Sequence, residues 1–112
     1  MKSILIIGLG RFGRHLCRKF MSLNNEVMIV DRDEAAVSAL ADEVTSAQIA
    51  DCTDENALRA LGARNYDCAV VAIGGDLATS VVATLNLKEL GVQTVVCKAT
   101  DETQRRALEK IG

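Results

Sequence analysis

Short apolar segments alternate with amphipathic segments along the whole chain. Apolar runs occupy positions 4–7, 27–30, 47–50, 69–73 and 94–97. Between them, apolar residues recur every three or four positions, which is the spacing of a helix with one buried face. Strands without polar alternation belong in a parallel sheet that is covered on both sides. The pattern therefore predicts an α/β fold, a Rossmann-like doubly wound parallel sheet of order 3-2-1-4-5 with helices on both faces.

Helix starts are marked by side chains that accept hydrogen bonds from free amides. Asp33, Thr53 and Asp76 precede the second, third and fourth helical stretches, and we expect each to be an N-cap. The second stretch carries apolar residues as far as Val44. A possible capping box in the segment 101–104 predicts a last helix near the end of the chain.

The turn after the first strand contains the most informative motif, Gly8-Leu9-Gly10-Arg11-Phe12-Gly13. Gly8 permits a tight turn, Gly10 leaves backbone N–H groups open to phosphate oxygens, and Gly13 allows close packing of helix on sheet. The free amides and the dipole of the following helix favour an anion. Asp31 closes the next strand 18 residues after Gly13, where a carboxylate accepts hydrogen bonds from ribose. These residues predict an adenine-nucleotide site.

Further site residues are expected at the other strand ends, because ligands of such sheets bind at the carboxyl ends of the strands. Asp51 and Cys52 follow the third strand and should face the adenine. The remaining candidates are Ile73 and Gly74 after the fourth strand and Lys98 after the fifth.

Two arginines modify this prediction. The Asp31 carboxylate would repel the 2′-phosphate of NADP, whereas the adjacent Arg32 would attract it; we give more weight to Asp31 because it lies at the strand end. Arg11 opposes the dipole of its own helix. It therefore calls for an anion, such as a phosphate of its own ligand or of a neighbouring subunit's ligand.

Composition narrows the classes of function. The net charge of −2 gives no general attraction to nucleic acid, and no apolar run approaches the ~20 residues of a membrane span. The four cysteines form no C-x-x-C pair, so we expect neither a zinc nor a redox site. Cys68 and Cys97 are predicted to be buried thiols. The helix over 77–90 is apolar on more than one side, which favours a second packing partner.

The glycine turn and several later stretches resemble the RCK or KTN (TrkA-N) domains of regulatory subunits of bacterial Ktr and Trk potassium transporters. The similarity is carried by positions 6–13, 26–31, 50–56, 70–74, 87–90 and 108–112. The resemblance implies that NAD(H) or ATP/ADP is bound at the Gly8 turn. It also implies that Arg11 touches a terminal phosphate across a dimer. The family positions that contact the nucleotide correspond to Asp31, Arg32, Asp51, Cys52, Ile73 and Lys98.

The same resemblance implies an assembly. Such domains form homodimers and then an octameric gating ring on the cytosolic face of a membrane-embedded potassium channel or transporter, where exchange of the ligand changes pore opening. Residues 1–112 would be the N-terminal lobe, and the C-terminal lobe of the family is not included in them. We expect the chain to be a fragment of a longer protein, a separate soluble subunit if Met1 is its native start.

Two other functions remain open. The chain could be the cofactor-binding half of an NAD-dependent dehydrogenase, or a nucleotide sensor for another transporter or a transcription regulator. Against an enzyme, 112 residues leave no room for a substrate domain, and Tyr66 has no lysine four positions later. His15 is predicted on the polar face of the first helix. We therefore predict no catalytic residue and no metal site.

Overall fold

Five parallel strands form a single sheet of order β3-β2-β1-β4-β5, which confirms the predicted topology. The computed structural model describes residues 1–74 and 76–98, so the predicted last helix lies outside the described residues. The elements are β1 (Ser3–Ile7), α1 (Arg11–Ser22), β2 (Glu26–Asp31), α2 (Glu34–Leu40), β3 (Ser46–Ile49), α3 (Glu55–Ala60), β4 (Cys68–Val71), α4 (Leu77–Glu89) and β5 (Thr94–Cys97). Short 3-10 turns at Ala41–Glu43 and Ala63–Asn65 follow α2 and α3.

The sheet has an apolar layer on each face. Successive side chains of a strand point to opposite faces, so Ile4 and Ile6 pack with Cys17 of α1 on one side. Leu5 and Ile7 pack with Leu87 of α4 on the other. Because both faces are covered, β1 is buried almost completely along its length. This core holds the carboxyl ends of the central strands at one edge of the domain.

One of the three predicted helix caps was wrong by a single residue. The third helix is capped by Asp54, whose carboxylate accepts the amides of Asn56 and Ala57, and not by Thr53. Both residue types cap helices well. The Thr53 hydroxyl instead donates to Asp51 at 2.7 Å. The predicted caps of α2 and α4 are confirmed, since Asp33 and Asp76 accept amides of their own first turns.

The second helix is shorter than its apolar pattern suggests. It ends at Leu40, and Val44 lies in extended backbone after the 3-10 turn. The cysteines are also distributed differently from the prediction. Cys68 and Cys97 are half-buried, Cys68 at the first position of β4 and Cys97 at the last position of the edge strand β5, whereas Cys17 and Cys52 are the buried thiols.

The fourth helix exposes an apolar face. Ala83 and Leu87 are buried against the sheet, but Leu77, Val82 and Leu85 remain 37%, 38% and 44% exposed. This distribution agrees with the prediction that the helix is apolar on more than one side. Within residues 1–74 and 76–98, no helix is long and apolar enough to cross a lipid bilayer.

Candidate functional site

The glycine turn links β1 to α1 with almost no free space on its inner side. Gly8 has a φ of +98°, and a Cβ there would lie 2.9 Å from the carbonyl oxygen of Ala72. A Cβ on Gly13 would collide with the backbone carbonyl of Gly8. The tight turn and the close helix packing predicted for these two glycines are therefore confirmed.

Gly10 occupies a different environment in the same turn. It is the N-cap of α1 and has ordinary extended dihedrals, with φ −70° and ψ −170°. Among the described residues, apart from its two chain neighbours, no atom lies within 4 Å of the position that a Cβ would take. The absence of a side chain therefore opens space outside the turn and does not serve the packing of the domain.

The amino end of α1 is electropositive. Gly10 supplies no side-chain cap, and the first turn contains no acidic residue. Arg11 adds an exposed cation at the same place. Because the first amides of a helix lack partners within the helix and carry the positive end of its dipole, this end of α1 can accept an anion.

A cavity of about 260 Å³ opens beside this turn, at the carboxyl ends of β1 to β4. Its volume is close to the lower end of the range typical of small-molecule sites, roughly 300 Å³. The lining combines polar groups of the loops with apolar strand ends. The lining residues are Ile7, Gly8, Gly10, Val30, Asp31, Arg32, Ala50, Asp51, Cys52, Ala72, Ile73 and Gly74.

Asp31 joins the cavity to the glycine turn. One carboxylate oxygen accepts the Leu9 amide at 2.8 Å, and the other accepts the Asp33 amide at 2.9 Å. An ionised carboxylate offers about four acceptor positions, so both oxygens keep capacity for further donors. Asp31 can therefore orient the turn and, at the same time, accept hydrogen bonds from the hydroxyl groups of a ligand.

Another part of the cavity wall is formed by Asp51 and Cys52, which follow β3. The hydroxyl and amide of Thr53 donate to Asp51 and hold its pKa below the ordinary value, and the nearby Arg32 guanidinium acts in the same direction. Burial raises the pKa of the Cys52 thiol, and the Asp51 charge raises it further. Cys52 is therefore a neutral thiol near pH 7, suited to packing against a ring and not to nucleophilic attack.

Eight of the thirteen predicted site residues line the cavity, and the other five do not. Leu9 is buried in the α1 side of the core and contributes its amide to Asp31. Gly13 lies beneath the turn. Arg11, Phe12 and Lys98 do not line the cavity.

Lys98 reaches across the rim of the cavity from the end of β5. Its ammonium nitrogen lies 5.3 Å from the centroid of the Phe12 ring. The same nitrogen is 3.8 Å from the position of a Cβ on Gly74. Lys98 therefore connects the loop after β4 with the first turn of α1.

Sequence patterns missed a set of residues that shape the cavity. The Ser80 hydroxyl donates to the carbonyl of Ile73 at 3.3 Å, and the Asn86 side chain donates to the carbonyl of Cys52 at 3.2 Å. Both donors belong to α4 and fix loops of the cavity wall. A lone asparagine between two leucines was the available signal for Asn86. The apolar lining residues Ile7, Val30, Ala50 and Ala72 adjoin the predicted strand ends and were also missed.

Comparison with known proteins agrees with this architecture. The family model of the TrkA-N domain matches residues 4–112. The chain is 44% identical to Ktr system potassium uptake protein C of Bacillus subtilis over 111 residues, which are 99% of this chain and 50% of that protein. It is 41% identical to Ktr system potassium uptake protein A of Vibrio alginolyticus, again over 99% of this chain and 50% of that protein. The chain thus spans about half the length of the curated relatives it matches.

Solved structures share the fold at lower identity. The NAD(P)-binding domain of an exopolyphosphatase-related protein from Archaeoglobus fulgidus superimposes with a TM-score of 0.87 at 22% identity, covering 100% of this chain and 84% of that one. The GsuK channel bound to NAD gives 0.84 at 19% identity, covering 99% and 20%. GsuK bound to ADP gives 0.83 at 19% identity, covering 99% and 29%.

The family match extends over nearly the whole chain, and it agrees with the resemblance found in the glycine turn and the later motifs. The five-stranded sheet and the turn geometry are those of the same Rossmann-like class. The chain therefore belongs to the TrkA-N domain family.

Proposed function

We propose that this chain is a nucleotide-binding regulatory domain of a potassium uptake system. The proposal rests on one arrangement of groups. The amino end of α1, capped only by Gly10, opens beside a cavity whose wall includes the Asp31 carboxylate. Backbone amides for phosphate and a carboxylate for ribose are the two parts that an adenosine phosphate requires.

The ligand would be NAD(H) or ATP/ADP. Its phosphates would lie at the amides after Gly10, its ribose at Asp31, and its adenine between the apolar strand ends and Cys52. This placement pairs each part of the ligand with a matching surface: backbone amides for the phosphates, a carboxylate for the ribose and apolar strand ends for the adenine. Structures of the same fold are described as bound to NAD and to ADP, which supports a nucleotide ligand in general. The Asp31 carboxylate disfavours a 2′-phosphate, although Arg32 on the same rim would attract one.

The potassium function is supported by family membership and by the relatives, which are named as potassium uptake proteins. We propose a membrane-embedded channel or transporter subunit as partner, on the cytosolic face of the membrane. Regulation would be a shift between assembly shapes. It requires two ligands whose affinities for the two shapes differ, because a ligand with equal affinities shifts nothing.

Assembly is proposed to use the exposed apolar face of α4. Leu77, Val82 and Leu85 lie on this face, and contiguous exposed apolar residues often mark protein interfaces. Homodimers, and an octameric ring in the longer protein, are the states that the family resemblance implies. In such a ring Arg11 could reach a phosphate held by a neighbouring subunit.

A dehydrogenase half is the alternative, and the cavity offers little support for it. Hydride transfer to a carbonyl requires a proton-transfer group near the cofactor. Among the described lining residues, the titratable groups apart from Arg32 are two aspartates already holding backbone amides and a thiol with a raised pKa. Steady oxidation of NADH with a panel of ketones would overturn the regulatory proposal.

The experiment that tests ligand binding is calorimetry with NAD, NADH, ATP and ADP. At least one should bind to the wild-type chain. Asp31→Asn should weaken every adenosine ligand by about tenfold, which corresponds to ~1.4 kcal/mol. Asp33→Asn is the matched control, because asparagine caps a helix as well as aspartate does and Asp33 does not line the cavity. Equal affinity of wild type and Asp31→Asn would contradict the ribose role.

A further inference from the structure

The glycine motif contains an aromatic side chain that neither the core nor the proposed nucleotide site uses. Phe12 lies in the first turn of α1, does not line the cavity and keeps 37% of its surface exposed. An exposed aromatic ring in the first turn is not explained by core packing. The ammonium nitrogen of Lys98 lies over this ring, 5.3 Å from its centroid.

This distance is within the range in which a cation is attracted to the face of an aromatic ring. The lysine is also anchored at its backbone, where its amide donates to the carbonyl of Val71 at 3.0 Å. The backbone bond fixes the base of the side chain, and the ring fixes its tip. Without the ring, the four-carbon stem would sample many rotamers, because lysine carries one of the largest side-chain entropies.

The fixed position matters because of what surrounds it. The ammonium group lies beside Gly74, which lines the cavity, and beside the amino end of α1. Arg11 and the helix dipole add positive potential there, and the first turn has no acid. The two ion pairs within residues 1–74 and 76–98 are Arg18 with Glu43 and Arg59 with Glu55, and neither involves Lys98. Such a concentration of positive charge is suited to the phosphates of a ligand.

We propose that Phe12 is a positioning residue for Lys98, holding its ammonium group at the rim of the glycine turn where it contacts the ligand's phosphates. The inference rests on the proposed nucleotide function and adds a residue whose side chain never touches the nucleotide. Pre-ordering the lysine reduces the entropy lost on binding. Phe12 should therefore affect the affinity only of ligands that carry phosphate.

The test is a double-mutant cycle, with ADP and adenosine as probes for calorimetry. Phe12→Leu should weaken ADP binding by about two- to fivefold, the fold-change that matches an exposed cation–π contact. Lys98→Met, which keeps the stem and removes the charge, should weaken it further. In the Lys98→Met background, Phe12→Leu should have no additional effect. Adenosine affinity should be the same in all four proteins.

Three further proteins control for structure. Phe12→Tyr retains the ring and should bind ADP like the wild type. Phe20→Leu removes a ring from the same helix, where Phe20 packs against the core. The folded molecules of this variant should bind ADP with wild-type affinity. Phe12→Met provides a second ring-free variant if Phe12→Leu does not fold, and melting curves establish that each protein is folded.

The outcomes separate the two proposals. ADP binding by the wild type with multiplicative effects of Phe12→Leu and Lys98→Met would overturn the role of Phe12 alone. Tighter ADP binding by Phe12→Leu would also overturn it, because the ring would then be withholding the lysine. Failure of the wild type to bind NAD, NADH, ATP or ADP would overturn the nucleotide function and this inference together.

Discussion

Adding one methyl group at Gly10 or at Gly13 should produce opposite phenotypes, although the two glycines belong to the same turn. The Cβ of Gly13→Ala would collide with the Gly8 carbonyl and come within 3.4 Å of the Ala72 side chain. The Cβ of Gly10→Ala would meet no atom of the described part of the chain within 4 Å, its own chain neighbours aside. The first substitution tests packing, and the second tests the space that the ligand would occupy.

The structure allows both magnitudes to be worked out. Overpacking costs about 1–3 kcal/mol; a backbone carbonyl cannot rotate away, so the upper part of that range applies to Gly13→Ala. The better helix propensity of alanine returns up to about 1 kcal/mol, which leaves a net destabilisation of about 2 kcal/mol. For a domain of this size this lowers the Tm by roughly 8 °C.

Gly10→Ala combines two small and opposite terms. Alanine is a poorer N-cap than glycine by about 0.5–1 kcal/mol, and it reduces the entropy of the unfolded chain by a similar free energy, about 0.4–1 kcal/mol. The Tm should therefore stay within roughly 3 °C of wild type. ADP affinity should fall at least about tenfold. The methyl group would hold the phosphate away from the amides, and losing one such hydrogen bond costs ~1.4 kcal/mol of binding free energy.

Circular-dichroism melts and ADP calorimetry on the two variants measure these effects. The reasoning about the turn is refuted if Gly13→Ala melts with the wild type. The ligand placement is refuted if Gly10→Ala is folded and binds ADP with wild-type affinity.

Three other predictions follow from separate parts of the molecule. Arg11→Ala should weaken ATP more than ADP if Arg11 contacts a terminal phosphate, and equal losses would discard that role. Thr79 donates its hydroxyl and amide to Asp76 and keeps the pKa of that carboxyl below its unfolded value, about 3.9. This stabilisation is present above that value and is lost as the pH falls through the folded pKa, so Asp76→Asn, which keeps a cap, should flatten the acid end of the stability curve; an unchanged curve would contradict this. Leu85→Glu should reduce self-association in analytical ultracentrifugation, whereas Leu23→Glu, at an even more exposed leucine of another surface, should not; equal effects would exclude α4 as the interface.

The topology was predictable because its signals are redundant. Consecutive apolar residues, a glycine turn and an acid at the end of β2 all indicate the same parallel sheet, and the strand order followed. The helix caps were less certain where two capping residues adjoin. Thr53 and Asp54 are both good caps. In the structure the Thr53 hydroxyl donates to Asp51, which leaves Asp54 to cap the helix.

Side-chain direction was the part that the sequence did not determine. Leu9 belongs to the glycine motif, yet its side chain enters the core and only its amide reaches Asp31. Asn86 lies 34 residues from the carbonyl that it binds, and contacts at such separation depend on how α4 crosses the sheet. Val44 continues an apolar pattern past the end of α2, because its side chain still packs against the core from extended backbone.

The central claim is that the amides at the start of α1 hold phosphate while Asp31 holds the ribose. A crystal structure of the protein with ADP tests it most directly. We expect phosphate oxygens within hydrogen-bonding distance of the backbone amides of the glycine turn and a ribose hydroxyl on the Asp31 carboxylate. ADP bound elsewhere, or a cavity filled by solvent or side chains at saturating ADP, would contradict the claim.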